Sequence, residues 1–259
     1  MTPINRFTVS FVGAGPGDVE LITVKGRRLL DAADVIIHAG SLVNRELLDG
    51  CTADIHDSSG LNLDEIVELM VAAWQKGLRV VRLHTGDPSI YGAIREQMVR
   101  LEAASIPCEV IPGVSSAFAA AASLKAELTL PEVAQTVIIT RQEGRTPVPA
   151  REKLSLLASH QTTMLIFLSA GLLATVVEEL RTGGYPGDTP VVIVERASWE
   201  NEKIVRGTLA TICAAAAAQQ IRKTAMICVG RVFDRQPPEA VSKLYDRHFS
   251  HGTREAKDD

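Results

Sequence analysis

Closely spaced cysteines and long apolar runs are both missing from this sequence. The four cysteines stand far apart with no C-x-x-C pair, so we expect buried reduced thiols rather than zinc ligands or disulfides, and no metal site. The most apolar stretch, TMLIFLSAGLLATVV, is too short and too interrupted by Ser, Gly and Thr to span a bilayer. The N-terminus also lacks the basic region and apolar core of a secretory signal. A soluble cytoplasmic protein is therefore predicted.

An excess of basic residues is missing as well. The 27 Lys and Arg residues are outnumbered by 31 Asp and Glu, which gives a net charge of -4 and a pI of about 5.9. No RNP-type aromatic motif occurs either, so we expect no nucleic-acid binding. An acidic protein can still bind an acidic ligand, provided that its cations are concentrated at the site. The chain length of 259 residues is enough for one large domain or two small ones with an ample core. Apolar residues make up 46% of the chain, so its body is expected to be folded.

The usual phosphate-binding fingerprints are absent too, although VGAGPGD follows the first predicted strand. A dinucleotide fingerprint needs glycine at the position of Asp18 and an acidic residue at the end of the second strand. That strand ends in IHAG, with Asp34 at its start, and no G-x-x-x-x-G-K-[ST] occurs. What remains is a tight turn with Pro16 between Gly15 and Gly17. It is either a sharp strand-to-helix turn or a place where a bulky ligand approaches the backbone.

Short apolar runs alternate with helical patterns along the first half of the chain. The segment NLDEIVELMVAAWQKG predicts a helix with Asn62 as its N-cap, Glu65 three residues later and Gly77 at its end. Strands separated by such helices favour parallel pairing with right-handed crossovers. The predicted strands are near Thr8–Val12, Val35–Ile37, Asp54–His56, Leu78–Leu83 and Glu109–Ile111.

The second half begins after ELTLPE, and its segment ASWENEKIVRG is typical of a hairpin, which indicates antiparallel strands. The fold class predicted for the chain is α/β, with two α/β domains and a cleft between them. A mostly parallel N-terminal domain is expected at 7–113 and a mixed-sheet C-terminal domain at 128–234. Residues 114–127 would connect them as a helix or linker, and 235–259 would form a polar tail. The second-half strands are near Thr136–Thr140, Thr163–Leu168, Val191–Glu195, Lys203–Arg206 and Ala225–Val229.

Three turns rich in glycine and proline follow strands of the first half, namely GAGPGD, HTGDPSIYGA and IPGVSS. Because the carboxyl ends of parallel strands meet at one edge, these turns should converge on a ligand site. Gly86 would let a ligand approach, and Ser115 and Ser116 offer hydroxyls beside free N–H groups at a helix start. Asp87 offers a carboxylate, which suits an ammonium, a sulfonium or ribose hydroxyls rather than a phosphate. The alternative for Asp87 is a turn-forming residue before Pro88.

The motifs VGAGPGD, HTGDPSIYG, IPGVSS, FLS and VIVERAS resemble those of the tetrapyrrole (corrin and porphyrin) methylases from about Phe7 to Phe233. The resemblance implies two α/β domains with S-adenosylmethionine in the cleft between them, a tetrapyrrole substrate and a homodimer. The sequence departs from the family pattern at two positions: His38 stands where an aromatic residue is expected, and Glu200 where a proline is expected. These departures would affect the tetrapyrrole pocket rather than the donor site. By position, the residues implied to bind the donor are Pro16, Thr85, Gly86, Asp87, Ile90, Ser115, Ser116, Leu168, Ala197 and Thr224.

Methyl transfer from a sulfonium to a ring carbon is an in-line displacement, which needs alignment more than acid–base help. No G-x-S-x-G nucleophile elbow is present. His84 and Glu195 are the candidates to accept a proton, and the alternatives are a structural histidine and a paired carboxylate under the hairpin. The residues predicted to contact the acidic substrate are Gly15, Gly17, Lys25, Arg27, Arg141 and Arg145.

Further motifs, AGSLV, ELTLPE, QTVIITRQEGRTPVP and ASWENE, are similar to those of one member of the family. Two other functions stay open at this point. Within the enzyme class, the chain would be a sibling methylase acting on uroporphyrinogen III or on another ring carbon. Outside that class, it would be a binding or regulatory module that kept the fold without turnover, although the intact Asp87 and glycines argue against this.

Overall fold

The computed structural model describes residues 7–234, 242–243 and 246–256. The predicted polar tail at 235–259 therefore lies partly outside the described residues. Within the described part of the chain, no helix is long and apolar enough to cross a membrane. All four cysteines are free; Cys228 is buried as expected, whereas the other three are half-buried.

The chain folds into two compact units. Of the described residues, one unit contains those up to Ala119 together with the short segment Arg196–Asn201, and the other contains the remainder. The division predicted from sequence, with a connecting segment at 114–127, did not anticipate that a segment of the second half would belong to the first unit. The physical reason is a set of hydrogen bonds from that segment to the first glycine-rich loop, described below.

The first unit is a parallel sheet covered by helices. Its strands are β1 (Val9–Gly13), β2 (Val35–His38), β3 (Asp54–Asp57), β4 (Val80–His84) and β5 (Cys108–Ile111), with α1 (Val24–Asp31), α2 (Leu63–Gln75) and α3 (Arg95–Ala103). The strand order is β3-β2-β4-β1-β5, and every pair is parallel, which confirms the prediction. The interior strand β1, between β4 and β5, is buried at every residue because apolar clusters cover both faces of the sheet. All five carboxyl ends therefore lie at one edge.

Helix α2 illustrates how local sequence sets these elements. Asn62 accepts a hydrogen bond from the Glu65 backbone N–H at 3.1 Å, and the Glu65 carboxylate accepts one from the Asn62 N–H at 2.8 Å, a complete capping box. Ile66, Met70 and Ala73 are buried in the core under the sheet. The helix thus starts near the carboxyl edge of the strands and ends just before Gly77, whose φ is +80°.

The second unit contains a mixed sheet. Its strands are β6 (Val137–Arg141), β7 (Thr163–Phe167), β8 (Pro190–Glu195), β9 (Lys203–Thr208) and β10 (Ala225–Val229). The order is β6-β7-β10-β8-β9, with β6 and β7 parallel and the other pairs antiparallel. The β8–β9 pair is the predicted hairpin, with Glu195 opposite Lys203. One face of the sheet packs on α5 (Leu154–Ala158), α6 (Leu173–Thr182) and α7 (Ile212–Ala218). Helix α4 (Ser116–Ser123) spans the division between the units.

Candidate active site

The three glycine-rich turns of the first unit meet at the carboxyl edge of its sheet. The Gly86 N–H donates to the Gly15 carbonyl at 2.8 Å, and the Gly15 N–H donates to the Gly86 carbonyl at 3.3 Å. Both residues have positive φ, +79° and +60°, which glycine adopts without steric cost. The Ala14 N–H also donates to the His84 carbonyl at 2.7 Å. The first and second turns are therefore joined through their backbones.

The third turn packs against the other two with no space for a side chain between the backbones. A Cβ placed on Gly113 would lie 2.2 Å from the Gly86 oxygen and 2.8 Å from the Gly13 Cα. A Cβ on Gly13 would lie 2.6 Å from the Gly113 Cα. Gly86 differs, since a Cβ there would lie 3.8 Å from the Ser116 nitrogen. The turns can pack this closely because Gly13 and Gly113 have no side chains. Gly86 also has none, so residue 86 does not cover the backbone at the start of α4.

Asp87 connects the second turn to the third. One carboxylate oxygen accepts a hydrogen bond from the Ser89 N–H at 2.8 Å, and the other accepts one from the Gly113 N–H at 2.9 Å. The first bond is the turn-forming role that the sequence left open. The second bond was not predicted, and it ties the two loops through a charge-assisted contact. A direct contact of this carboxylate with a ligand stays a prediction.

Ser115 and Ser116 lie where the third turn enters α4. Ser115 is buried, and its hydroxyl oxygen accepts a hydrogen bond from the Ala117 N–H at 3.3 Å. Ser116 is the first residue of the helix and is half-buried. Both lie next to Gly86, where an added Cβ would be 3.8 Å from the Ser116 nitrogen and 3.9 Å from the Ser115 Cα, and their contact with a ligand stays a prediction.

The first loop is clamped by Trp199, a residue that sequence reasoning did not single out. Its indole N–H donates to the Pro16 carbonyl at 2.9 Å, and a Cβ on Gly17 would lie 2.1 Å from the indole ring. The Ser198 hydroxyl accepts a hydrogen bond from the Asp18 N–H at 3.0 Å. Ala197, a predicted donor contact, is thereby buried in the first unit beside the loop that contains Pro16. The only sequence signal was the tryptophan in ASWENE.

His84 and Arg82 are buried side by side on β4. The Arg82 Nε–H donates to Gln97 Oε1 at 3.0 Å, and its NH1 group donates to the Ile37 carbonyl at 3.1 Å. Burial, and then the nearby Arg82 charge, lower the pKa of His84 to about 3. The His84 ring stacks on Phe11, with centroids 5.9 Å apart. A neutral imidazole with so low a pKa is a weak base, which favours the structural alternative given for His84.

The buried His84 should make the protein sensitive to acid. Because its folded pKa lies below the unfolded value of 6.5, the unfolded chain binds the proton first as pH falls from about 6.5 towards 3. Between pH 6.5 and 5, the free energy of unfolding should fall by about 2 kcal/mol more in the wild type than in His84→Phe. Urea denaturation at both pH values measures this difference. His160→Gln, at an exposed histidine, is the control, and equal losses in wild type and His84→Phe would contradict the assignment.

The candidates in the second unit lie at one edge of its sheet. Arg141 and Glu195 end β6 and β8, Leu168 follows β7, and Thr224 precedes the antiparallel β10. Leu168 and Thr224 have φ of +54° and +52°, a region that is unfavourable for residues other than glycine and most of all for β-branched ones. The contact of either residue with the donor stays a prediction.

Leu168 is turned outward by its buried neighbour Ser169. The Ser169 hydroxyl donates to the Phe167 carbonyl at 2.6 Å and accepts a hydrogen bond from the Gln142 N–H at 2.9 Å. This pair of bonds fixes a sharp turn that leaves Leu168 70% exposed. An apolar side chain held in solvent at a strand end is suited to contact a ligand, and this contact stays a prediction.

Several predicted polar contacts already have partners within the protein. Lys25 forms an ion pair with Glu109 at 2.8 Å, and Glu195 lies 3.6 Å from Lys203 across the hairpin. The Arg141 guanidinium donates to the carbonyls of Thr146 and Pro147 at 3.1 and 2.6 Å, which holds the loop after β6.

Two further cations complete the predicted set. Arg27 donates to the Leu47 carbonyl at 2.6 Å and pairs with Asp31. Arg145 is exposed on the loop that Arg141 holds, so of the predicted cations it is the one best placed to meet an acidic ligand from solution.

The pairing of Glu195 with Lys203 matches the alternative role given for Glu195 above, that of a paired carboxylate under the hairpin. Its role as a proton acceptor stays a prediction.

Comparison with known proteins identifies the family of this fold and site. The sequence matches the tetrapyrrole (corrin/porphyrin) methylases over residues 8–213. It is 57% identical to a cobalt-precorrin-4 C(11)-methyltransferase of Methanocaldococcus jannaschii, over 97% of this chain and 98% of that protein. The chain therefore belongs to the tetrapyrrole methylases, and the methyltransferase class predicted from its motifs is confirmed.

Two solved structures agree with this membership. The X-ray structure of a cobalt-precorrin-4 methyltransferase superposes with a TM-score of 0.86 at 48% identity, covering 88% of this chain and 96% of that one. A uroporphyrin-III C-methyltransferase of Thermus thermophilus, solved as a complex with S-adenosyl homocysteine, gives a TM-score of 0.75 at 28% identity, covering 90% and 96%. The predicted fold class of two α/β domains, one with a parallel and one with a mixed sheet, is confirmed.

Proposed function

We propose that this chain transfers a methyl group from S-adenosylmethionine to ring carbon C-11 of precorrin-4, or of cobalt-precorrin-4, in cobalamin biosynthesis. The observation that carries the proposal is the meeting of the three glycine-rich turns at Gly15, Gly86 and Gly113 in a member of this family. The likeness to the M. jannaschii protein over nearly the whole chain supports the substrate. So do the motifs AGSLV, HTGDPSIYGA, ELTLPE, QTVIITRQEGRTPVP and ASWENE, which resemble precorrin-4 C(11)-methyltransferases.

The residues at the turns fit S-adenosylmethionine. When bound, it supplies a methyl group on a positively charged sulfonium. Gly86 leaves backbone uncovered beside Ser115 and Ser116, so a bulky ligand can lie against the turns without displacing side chains. Asp87 holds a carboxylate at the same place, which would stabilise a positive charge or bind ribose hydroxyls. The Thermus relative solved with S-adenosyl homocysteine supports the same class of ligand.

The chain would promote the reaction by positioning rather than by covalent or acid–base chemistry. The Gly15–Gly86 bridge, the Asp87 bonds and the Trp199 clamp on Pro16 fix the turns relative to one another. Rigid alignment of donor and acceptor can supply roughly 7–11 kcal/mol of the barrier to an in-line displacement.

Neither proton-acceptor candidate is favoured by its surroundings. His84 is buried with a pKa of about 3, and Glu195 is paired with Lys203. The conjugated ring of the substrate supplies the electron pair that forms the new carbon–carbon bond, so the step itself needs no side-chain nucleophile. We assign neither residue as a base.

We further propose a cytoplasmic homodimer, as the family resemblance implies. Light scattering on purified protein should give twice the mass of the 27.9 kDa chain. A monomeric mass across the micromolar range would contradict the dimer without affecting the proposed reaction.

The reaction is tested in two stages. Calorimetry should detect binding of S-adenosylhomocysteine, and absence of binding at high micromolar concentration would exclude the donor. Transfer of label from S-adenosylmethionine to precorrin-4 and to cobalt-precorrin-4 should then be compared with transfer to uroporphyrinogen III. Labelling of uroporphyrinogen III instead would favour a sibling methylase, and donor binding with no transfer to any tetrapyrrole would favour a binding module.

A further inference from the structure

Beneath the HTGDPSIYGA turn, the first unit contains a cavity of about 340 Å³. It lies where β2 and β4 end and where α2 and α3 begin. Leu63 and Ile66 of α2 supply apolar lining, and the polar lining includes Arg82, His84 and Gln97. A mostly apolar cavity with a few convergent polar groups is typical of a ligand site.

Arg82 brings an unmatched positive charge to this cavity. The side chain is 4% exposed, and its hydrogen bonds go to the neutral oxygens of Gln97 and Ile37. Within the described part of the chain no carboxylate pairs with it, and burial alone lowers its pKa to about 10, so it keeps its charge at neutral pH. A buried cation without an anion is costly, because desolvation is not offset by attraction. An anion bound in the cavity would offset that cost.

Two more features of the cavity favour the same kind of ligand. His84 is 3% exposed, and among the described residues its Nε2 has no hydrogen-bond partner. A neutral imidazole can carry its hydrogen on this nitrogen and donate it. The nine-residue helix α3 has no side-chain cap at its N-terminus, and its first turn lines the cavity through Glu96 and Gln97. The helix dipole therefore adds partial positive charge at the same place.

We infer that this cavity binds a carboxylate, and that the carboxylate is an acidic side chain of the tetrapyrrole. The assignment to the substrate rests on the proposed function. The other possible source is the amino-acid end of the donor, but there an ammonium accompanies the carboxylate and leaves no net charge to balance Arg82. The exposed Glu96 at the rim opposes an incoming anion, so it should weaken binding and its removal should strengthen it.

The test uses the full-length chain and the variant His84→Phe, which keeps a ring against Phe11 and removes the nitrogen. The KM for precorrin-4 or cobalt-precorrin-4 should rise about tenfold or more, since a hydrogen bond to a charged group is lost, while kcat changes little. Glu96→Gln, at an exposed position, should lower the KM about twofold. Arg79→Gln is the matched control, because Arg79 stands just before β4, at its opposite end, and pairs with Asp34 on the surface.

Calorimetry with S-adenosylhomocysteine distinguishes the two sources of carboxylate. Unchanged donor affinity with a raised KM supports the substrate, whereas weakened donor affinity with an unchanged KM would overturn that assignment. If neither quantity changes in folded His84→Phe and Glu96→Gln, the cavity binds no carboxylate in the reaction. Fluorescence titration with a stable polycarboxylate porphyrin repeats the comparison without turnover. Porphyrin binding that depends on His84 would uphold the cavity even if the wild type transferred no methyl group.

Discussion

An Asp87→Ala variant is expected to bind S-adenosylhomocysteine about tenfold to a hundredfold more weakly than the wild type. The carboxylate accepts hydrogen bonds from the Ser89 and Gly113 N–H groups, at 2.8 and 2.9 Å. Loss of the carboxylate leaves these two N–H groups without their acceptor and releases the second turn from the third. Each charge-assisted hydrogen bond contributes about 1.5–3 kcal/mol of stabilisation, part of which water replaces in the variant. Calorimetry on the folded variant measures the effect.

Asp57→Ala is the matched control for this substitution. Asp57 accepts a hydrogen bond from the N–H two residues later, Ser59, at 2.8 Å, which is the same local turn bond as in Asp87. In the described part of the chain, the Asp57 carboxylate forms no second hydrogen bond to a glycine-rich turn. The donor affinity of Asp57→Ala should therefore stay near that of the wild type. Unchanged affinity in folded Asp87→Ala would remove Asp87 from the donor site. A loss of equal size in both variants would show that turn stability in general, and not the link to Gly113, governs binding.

A Gly113→Ala variant is expected to lose methyl transfer by at least about a hundredfold and to unfold at lower denaturant concentration. The added methyl carbon would meet the Gly86 oxygen at 2.2 Å and the Gly13 Cα at 2.8 Å, and both are backbone atoms that no side-chain rotation can move. The turns must separate, and overpacking of this kind costs about 1–3 kcal/mol of stability. Activity assays and urea denaturation together measure both effects.

The control for this second variant is Gly187→Ala, where an added Cβ would meet nothing within 4 Å. Stability and activity should stay close to those of the wild type. Full activity in Gly113→Ala would mean that the three turns do not need their present spacing, which contradicts the positioning mechanism.

Local patterns predicted much of the fold because they depend on neighbouring residues. The capping box at Asn62 and Glu65 placed the start of α2, and the apolar run at Ala225–Val229 is β10 with the predicted bounds. The convergence of the glycine-rich turns followed from parallel topology alone, since strand ends of a parallel sheet meet at one edge.

The contacts that the sequence did not predict join residues far apart along the chain. Trp199 and Pro16 are separated by 183 positions, and no local pattern indicates that the indole would bind that carbonyl. Lys25 pairs with Glu109, 84 positions away, and its contact with the substrate stays a prediction. An arginine on a strand usually lies on the face exposed to solvent. Arg82 is buried instead, and its guanidinium donates hydrogen bonds to the neutral oxygens of Gln97 and Ile37. Such contacts depend on packing between elements rather than on the sequence of any one of them.

The central claim is methyl transfer to C-11, and the position of the transferred carbon tests it most directly. The protein is incubated with S-adenosylmethionine carrying a 13C-labelled methyl group and with precorrin-4 or cobalt-precorrin-4, and the product is examined by 13C NMR. A single enriched methyl group bonded to C-11 is the predicted result. Enrichment at any other ring carbon, or a product without label from a protein that binds S-adenosylhomocysteine, would contradict it.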